Sequence, residues 1–135
     1  MTTILVGTDA SSAADLAVEQ AARLAAERDG DLLVLYVRDE RDARAVVDPK
    51  RAPDPGGYLD GIGRRFPAIR IRTRVEPGEP ADRICAVAEE EEADTIVIGN
   101  RGAHGSWWRV KESVPNLVLR HAPCSVYVVD TRVAQ

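Results

Sequence analysis

Three stretches of this chain are apolar without interruption: Ile4, Leu5 and Val6; residues 32–37; and Ile96, Val97 and Ile98. Successive side chains of a strand point to opposite faces, so a strand apolar at every position must be covered on both. Parallel sheets meet that demand, because each crossover lays a helix over one face or the other. The spacing leaves room for those crossovers. Alanines with Leu16, Val18, Leu24 and Ala25 make a helical stripe after the first run, with Ser11 or Ser12 as its cap and Asp29-Gly30 as its stop.

The rest of the chain continues the alternation. Residues 38–67 are polar and rich in Arg, Asp, Pro and Gly, and Pro49, Pro53 and Pro55 forbid a long helix there. A short helix is expected over 58–66. Residues 69–75 alternate Ile69, Ile71, Thr73 and Val75 with Arg70, Arg72 and Arg74, which suits an edge strand guarded by charge. Pro77-Gly78-Glu79-Pro80 turns the chain into a helix over 81–92, with Ile84, Cys85, Val87 and Ala88 inward. A strand over 95–98 ends at Gly99. A loop leads to a last helix over 113–121, and a fifth strand follows over 125–129. The pattern is that of an α/β domain with an open parallel sheet and helices on both faces. At 135 residues it fits one domain, residues 1–135.

Charge and cysteine content narrow the function classes. Eighteen basic against 22 acidic residues give a net charge of −4, which argues against a sequence-independent nucleic-acid binder. Cys85 and Cys124 are the only cysteines and fall in separate apolar segments, as buried free thiols would. No apolar run reaches the roughly 20 residues that span a bilayer. No charged-then-apolar leader opens the chain, so a cytoplasmic location is expected.

In open α/β sheets ligands bind at the carboxyl ends of the strands where the order reverses. The turns expected there are Gly7-Thr8-Asp9 and Gly99-Asn100-Arg101-Gly102. Gly99 and Gly102 let backbone approach an anion, Arg101 adds positive charge, and Ser113 opens a helix whose N-terminus attracts phosphate. The same residues also fit a tight turn followed by an ordinary cap.

The opening Thr3-Ile4-Leu5-Val6-Gly7-Thr8-Asp9-Ala10-Ser11 resembles that of the universal stress protein family. So do the closing segments Val97-Ile98-Gly99-Asn100-Arg101-Gly102 and Ser113-Val114-Pro115 through Arg120-His121-Ala122-Pro123-Cys124-Ser125-Val126. The resemblance implies a Rossmann-like, five-stranded sheet in the order 3-2-1-4-5, akin to the adenine nucleotide alpha-hydrolases. It also implies a homodimer and a bound ATP or other adenine nucleotide, with Mg²⁺ accompanying it. Carried over residue by residue, it puts Asp9 near the adenine or ribose, Val37 on the base, and Gly99, Gly102 and Ser113 at the phosphates; Thr8, Arg101 and Val114 complete the expected nucleotide-binding set.

One position departs from the pattern. Nucleotide-binding members carry a glycine just before the serine, and this chain has Glu112. Two like charges about 4 Å apart repel by roughly 4 kcal/mol at an effective dielectric of about 20. Half that weakens binding more than tenfold. The adenosine half of the site is therefore better kept than the phosphate half, which favours weak ATP binding or a ligand with less phosphate, such as AMP or a cyclic nucleotide. Two classes stand: a stress-response regulator that binds an adenine nucleotide, and a dimeric interaction protein that has lost the ligand and needs no cofactor. The retained glycines, Ser113, Asp9 and Val37 favour the first. Glu112 and the short 38–67 crossover favour the second.

Other signals are weaker. His104 and His121 lack a nucleophile elbow and a supporting carboxylate, so no catalytic residues are assigned and slow ATP hydrolysis is the most to expect. No metal-ligand spacing occurs. Trp107-Trp108 offers an aromatic pair to an unknown protein partner or a membrane surface. The fifth strand, Val126-Tyr127-Val128-Val129, carries no charge, and an uncharged edge invites pairing with a second copy.

Overall fold

The computed structural model describes residues 2–38, 55–100 and 113–131. Its strands are β1 (Thr3–Thr8), β2 (Asp31–Arg38), β3 (Ile71–Pro77), β4 (Thr95–Gly99) and β5 (Ser125–Val129). The helices among the described residues are α1 (Ser12–Glu27), α2 (Pro55–Arg65), α3 (Pro80–Glu90) and α4 (Val114–His121). All neighbouring strands pair in parallel, in the order β3-β2-β1-β4-β5. The fold class expected from the sequence pattern and the sheet order implied by the family resemblance are those observed.

Alternate residues of the inner strands sort into two cores. Ile4, Val6, Leu32, Val34, Tyr36 and Val97 pack under α1 and α2. Leu5, Leu33, Leu35, Val37, Ile96 and Ile98 pack under α3 and α4. This partition is why the runs show no polar residue, and why the alanine-rich stripe of α1 can lie close to the sheet.

The caps explain the element ends. Ser11, rather than Ser12, caps α1: its Oγ accepts from Ala14 N at 3.0 Å. At the other end Asp29 takes the left-handed conformation (φ 53°), and Gly30 N donates back to Ala25 O at 2.8 Å. Gly30 is needed for close approach, since a Cβ there would lie 2.6 Å from Thr2 O. The same closure ends α3, where Glu92 turns left-handed and Ala93 N reaches Ala88 O. The helix therefore stops at Glu90 and not at 92, because the glutamate run supplies the turn.

β3 runs two residues later than the alternation suggests. Ile69 N donates to Phe66 O in a turn, so pairing with β2 begins with Arg70 O accepting from Leu32 N. The strand is at an edge, as expected, but its charges are engaged. Arg72 meets Glu91 at 2.8 Å, and Arg74 meets Glu90 at 2.7 Å and Glu76 at 2.9 Å. The hydrogen bond from Arg72 holds the Glu91 carboxyl below the usual range. Arg70 pairs with Asp31 at 3.5 Å.

α2 is a poor helix by composition, with Gly56, Gly57, Gly61 and Gly63 among its residues. Each glycine costs about 1 kcal/mol relative to alanine. Tertiary contacts hold it instead: Leu59 and Ile62 are buried in the first core, and Tyr58 packs against it.

Candidate functional site

The chain climbs outward through β2 and β3, then returns past β1 to β4 and β5, so the order reverses between β1 and β4. Thr8 and Asp9 end one side of that switch point, and Gly99 and Asn100 end the other. Val37, near the end of β2, is buried in the same core as Val114, the first residue of α4. The fold thus brings the carboxyl ends of β1, β2 and β4 and the start of α4 to one side of one sheet. Arg101, Gly102 and Glu112 lie outside the described residues, as do His104, Trp107 and Trp108.

The β1–α1 turn is held by its own side chains. Ala10 sits at φ 67°, a conformation that costs an L-residue roughly 1–2 kcal/mol. Thr8 Oγ1 accepts from Ala10 N at 3.0 Å, and Asp9 Oδ1 accepts from Ser11 N at 3.0 Å. The second carboxylate oxygen, Oδ2, is buried with no hydrogen-bond partner among the described residues, on a residue only 5% exposed overall. A buried acceptor without a donor is expensive.

Tyr58 reaches this turn from α2. Its hydroxyl donates to Asp15 Oδ1 at 2.9 Å and lies 2.8 Å from Thr8 Oγ1. With its one proton spent on Asp15, Tyr58 accepts from Thr8, and Thr8 keeps a lone pair for Ala10 N. Burial raises the Tyr58 phenol well above its usual value, and the Asp15 and Asp9 carboxylates add to that. The unfolded chain would release this proton from about pH 10, the folded one later. Stability present below pH 10 is therefore lost as pH rises through the phenol range. Denaturant titrations at pH 9 to 11.5 should show a fall in unfolding free energy that is shallower in Tyr58→Phe. Parallel slopes would exclude this role.

On the β4 side, Asn100 Oδ1 accepts from Thr131 N at 3.0 Å and from Thr131 Oγ1 at 3.1 Å, while Asn100 N donates to Val129 O. The first residue of the glycine loop is fastened to the end of β5. At α4, Ser113 Oγ accepts from Asn116 N at 3.3 Å. Pro115 has no N–H. With Asn116 N spent on Ser113 and no N–H on Pro115, two of the four N–H groups that a helix start leaves open remain, those of Ser113 and Val114.

Sequence reasoning missed Tyr58, Asp15, Asn100 and Thr131. The one available signal was a lone tyrosine beside Leu59 and Ile62 on a glycine-rich stripe, where a phenol must bring its own partner. Burial raises both the Cys85 and the Cys124 thiol, and both are free. Among the described residues, no helix is long and apolar enough to cross a membrane.

An open parallel sheet whose order reverses between β1 and β4 defines an α/β domain of the doubly wound class. The chain belongs to the universal stress protein family, whose sequence profile matches residues 1–130. A universal stress protein of Mycobacterium tuberculosis is 33% identical over a 141-residue alignment that covers 96% of each chain. A universal stress protein solved in complex with cAMP superposes with a TM-score of 0.78 at 28% identity, covering 96% of this chain and 97% of that one. The universal stress protein UspA of Lactobacillus plantarum gives 0.75 at 30% identity, covering 95% and 97%.

Proposed function

We propose that this chain is a regulatory nucleotide-binding protein that takes an adenine nucleotide of low phosphate content, AMP or cAMP, in preference to ATP. The observation that carries the reading is Asp9 Oδ2, an acceptor buried at the switch point without a donor among the described residues. A ribose hydroxyl or the adenine amine supplies that donor, and hydrogen bonds to charged groups are worth about 1.5–3 kcal/mol. Val37, buried at the end of β2 in the same core as Val114, is the apolar residue this reading puts against the base. The similarity to a protein solved with cAMP supports the same ligand class.

The preference for little phosphate has two supports. The first turn of α4 has no N–H at Pro115 and has spent that of Asn116 on Ser113, which leaves fewer donors for phosphate than a helix start without proline offers. Glu112 adds a negative charge where the family pattern has glycine. Its repulsion grows with ligand charge, so Glu112→Gly should tighten ATP by about tenfold or more, AMP by less, and cAMP least. Calorimetric titration of the three ligands into both proteins checks this. Equal gains, or none, would remove Glu112 from the phosphate site.

We further propose that the domain works as a cytoplasmic homodimer formed through β5. Tyr127 and Val128 are 45% and 38% exposed on that edge, whereas the β3 edge carries a network of ion pairs. The same edge supports a second reading, a dimeric interaction protein that binds no nucleotide. Mass spectrometry of natively purified protein separates the two: a co-purified adenine nucleotide supports the first, and its absence with no binding on addition supports the second.

A further inference from the structure

The Tyr58 hydroxyl bridges two points that flank Asp9 in sequence, and no other described side chain does so. It meets Thr8, the residue before Asp9, and Asp15, in the first turns of α1. Between them the turn is closed by Ala10 N to Thr8 Oγ1, Ser11 N to Asp9 Oδ1, Ala14 N to Ser11 Oγ and Asp15 N to Ser11 O. These bonds form a ring around residues 8–15, and the phenol closes it. Within that ring Ala10 holds a left-handed conformation that an alanine abandons when its constraints are loosened.

We propose that Tyr58 is a positioning residue for nucleotide binding: its hydroxyl fixes the Thr8–Ala10 turn so that Asp9 keeps one oxygen on Ser11 N and presents the other to the ligand. The inference rests on the nucleotide-binding reading above. Thr8 is fully buried, so without the phenol its hydroxyl has lost its acceptor, and its cheapest new partner is a backbone carbonyl of its own strand. That rotation takes the lone pair away from Ala10 N. The turn then relaxes, and Asp9, the next residue in the ring, no longer arrives pre-oriented. Placing this contact on α2 has a second consequence. A helix with little intrinsic stability becomes part of the ligand site, so the stability of α2 is coupled to ligand occupancy.

The test uses the full chain with AMP and cAMP as probes. Tyr58→Phe should weaken both about tenfold. In an Asp9→Ala background the same substitution should change affinity less than twofold, because the phenol acts through Asp9. Gly63→Ala supplies the control for simple loss of helix. A Cβ at Gly63 meets nothing within 4 Å, so the change restores stability to α2. The double variant Tyr58→Phe, Gly63→Ala should regain melting temperature without regaining affinity. Amide exchange in the ligand-free protein should quicken in Tyr58→Phe more at Ala10 and Ser11 than at Leu33 and Ile96, which report only the global loss of stability. Unchanged affinity in Tyr58→Phe, an undiminished effect in the Asp9→Ala background, or affinity recovered by Gly63→Ala would overturn the proposal while leaving nucleotide binding intact. Absence of AMP and cAMP binding in the unaltered protein would overturn both.

Discussion

Asp9→Ala is expected to reduce affinity for AMP and cAMP by about 10- to 100-fold, measured by calorimetric titration. The range follows from a hydrogen bond to a charged acceptor, about 1.5–3 kcal/mol, with each 1.4 kcal/mol a factor of ten. The argument is local. Asp9 Oδ1 is committed to Ser11 N, and Oδ2 is buried without a partner among the described residues. A protein does not keep such an oxygen for stability. Removing the carboxylate should cost the ligand its fixed acceptor while relieving the free protein of a buried orphan. Stability should therefore fall less than the lost Ser11 contact alone would suggest. A variant that binds as tightly as the unaltered protein would show that Asp9 serves the turn only.

Val128→Lys is expected to convert a dimer to a monomer in sedimentation equilibrium, raising the dimer dissociation constant by about 100-fold or more. Val128 pairs in register with Ile98 on β4, leaving its other backbone edge open, and its side chain is 38% exposed. In the dimer proposed through β5 the edge of each copy would lie against the other, so an ammonium introduced there would meet its own image in a desolvated seam. Burying an unpaired charge is among the most costly changes an interface can suffer. The free chain tolerates the lysine because the position is at the rim of the sheet. A persistent dimer would move the interface off β5, and a monomeric unaltered protein would remove it.

The sequence was most informative where one physical demand acted alone. The runs at Ile4, Leu32 and Ile96 encode strands covered on both faces, and the sheet has β1, β2 and β4 there. It was less informative where two demands competed. The Ile–Arg alternation begins at 69, yet the Ile69 amide is taken by a turn to Phe66, so β3 starts at Ile71. The glutamates at 89–92 read as helix, yet Glu92 is the left-handed residue that closes α3. In the candidate site, Asp9 read only as a turn residue until family resemblance gave it a ligand. The Tyr58 contacts leave no periodic trace, because they join positions 50 and 43 residues apart through single hydroxyl and carboxyl atoms.

The central claim is that the Asp9 turn, Val37 and the start of α4 form an adenine-nucleotide site poorly suited to a triphosphate. Calorimetric titration of AMP, cAMP and ATP into the unaltered protein, at equal ionic strength, tests it most directly. The account predicts saturable binding of AMP or cAMP at one per chain, with ATP about tenfold weaker or more. ATP binding as tightly as AMP and cAMP, or no nucleotide binding at all, would contradict it.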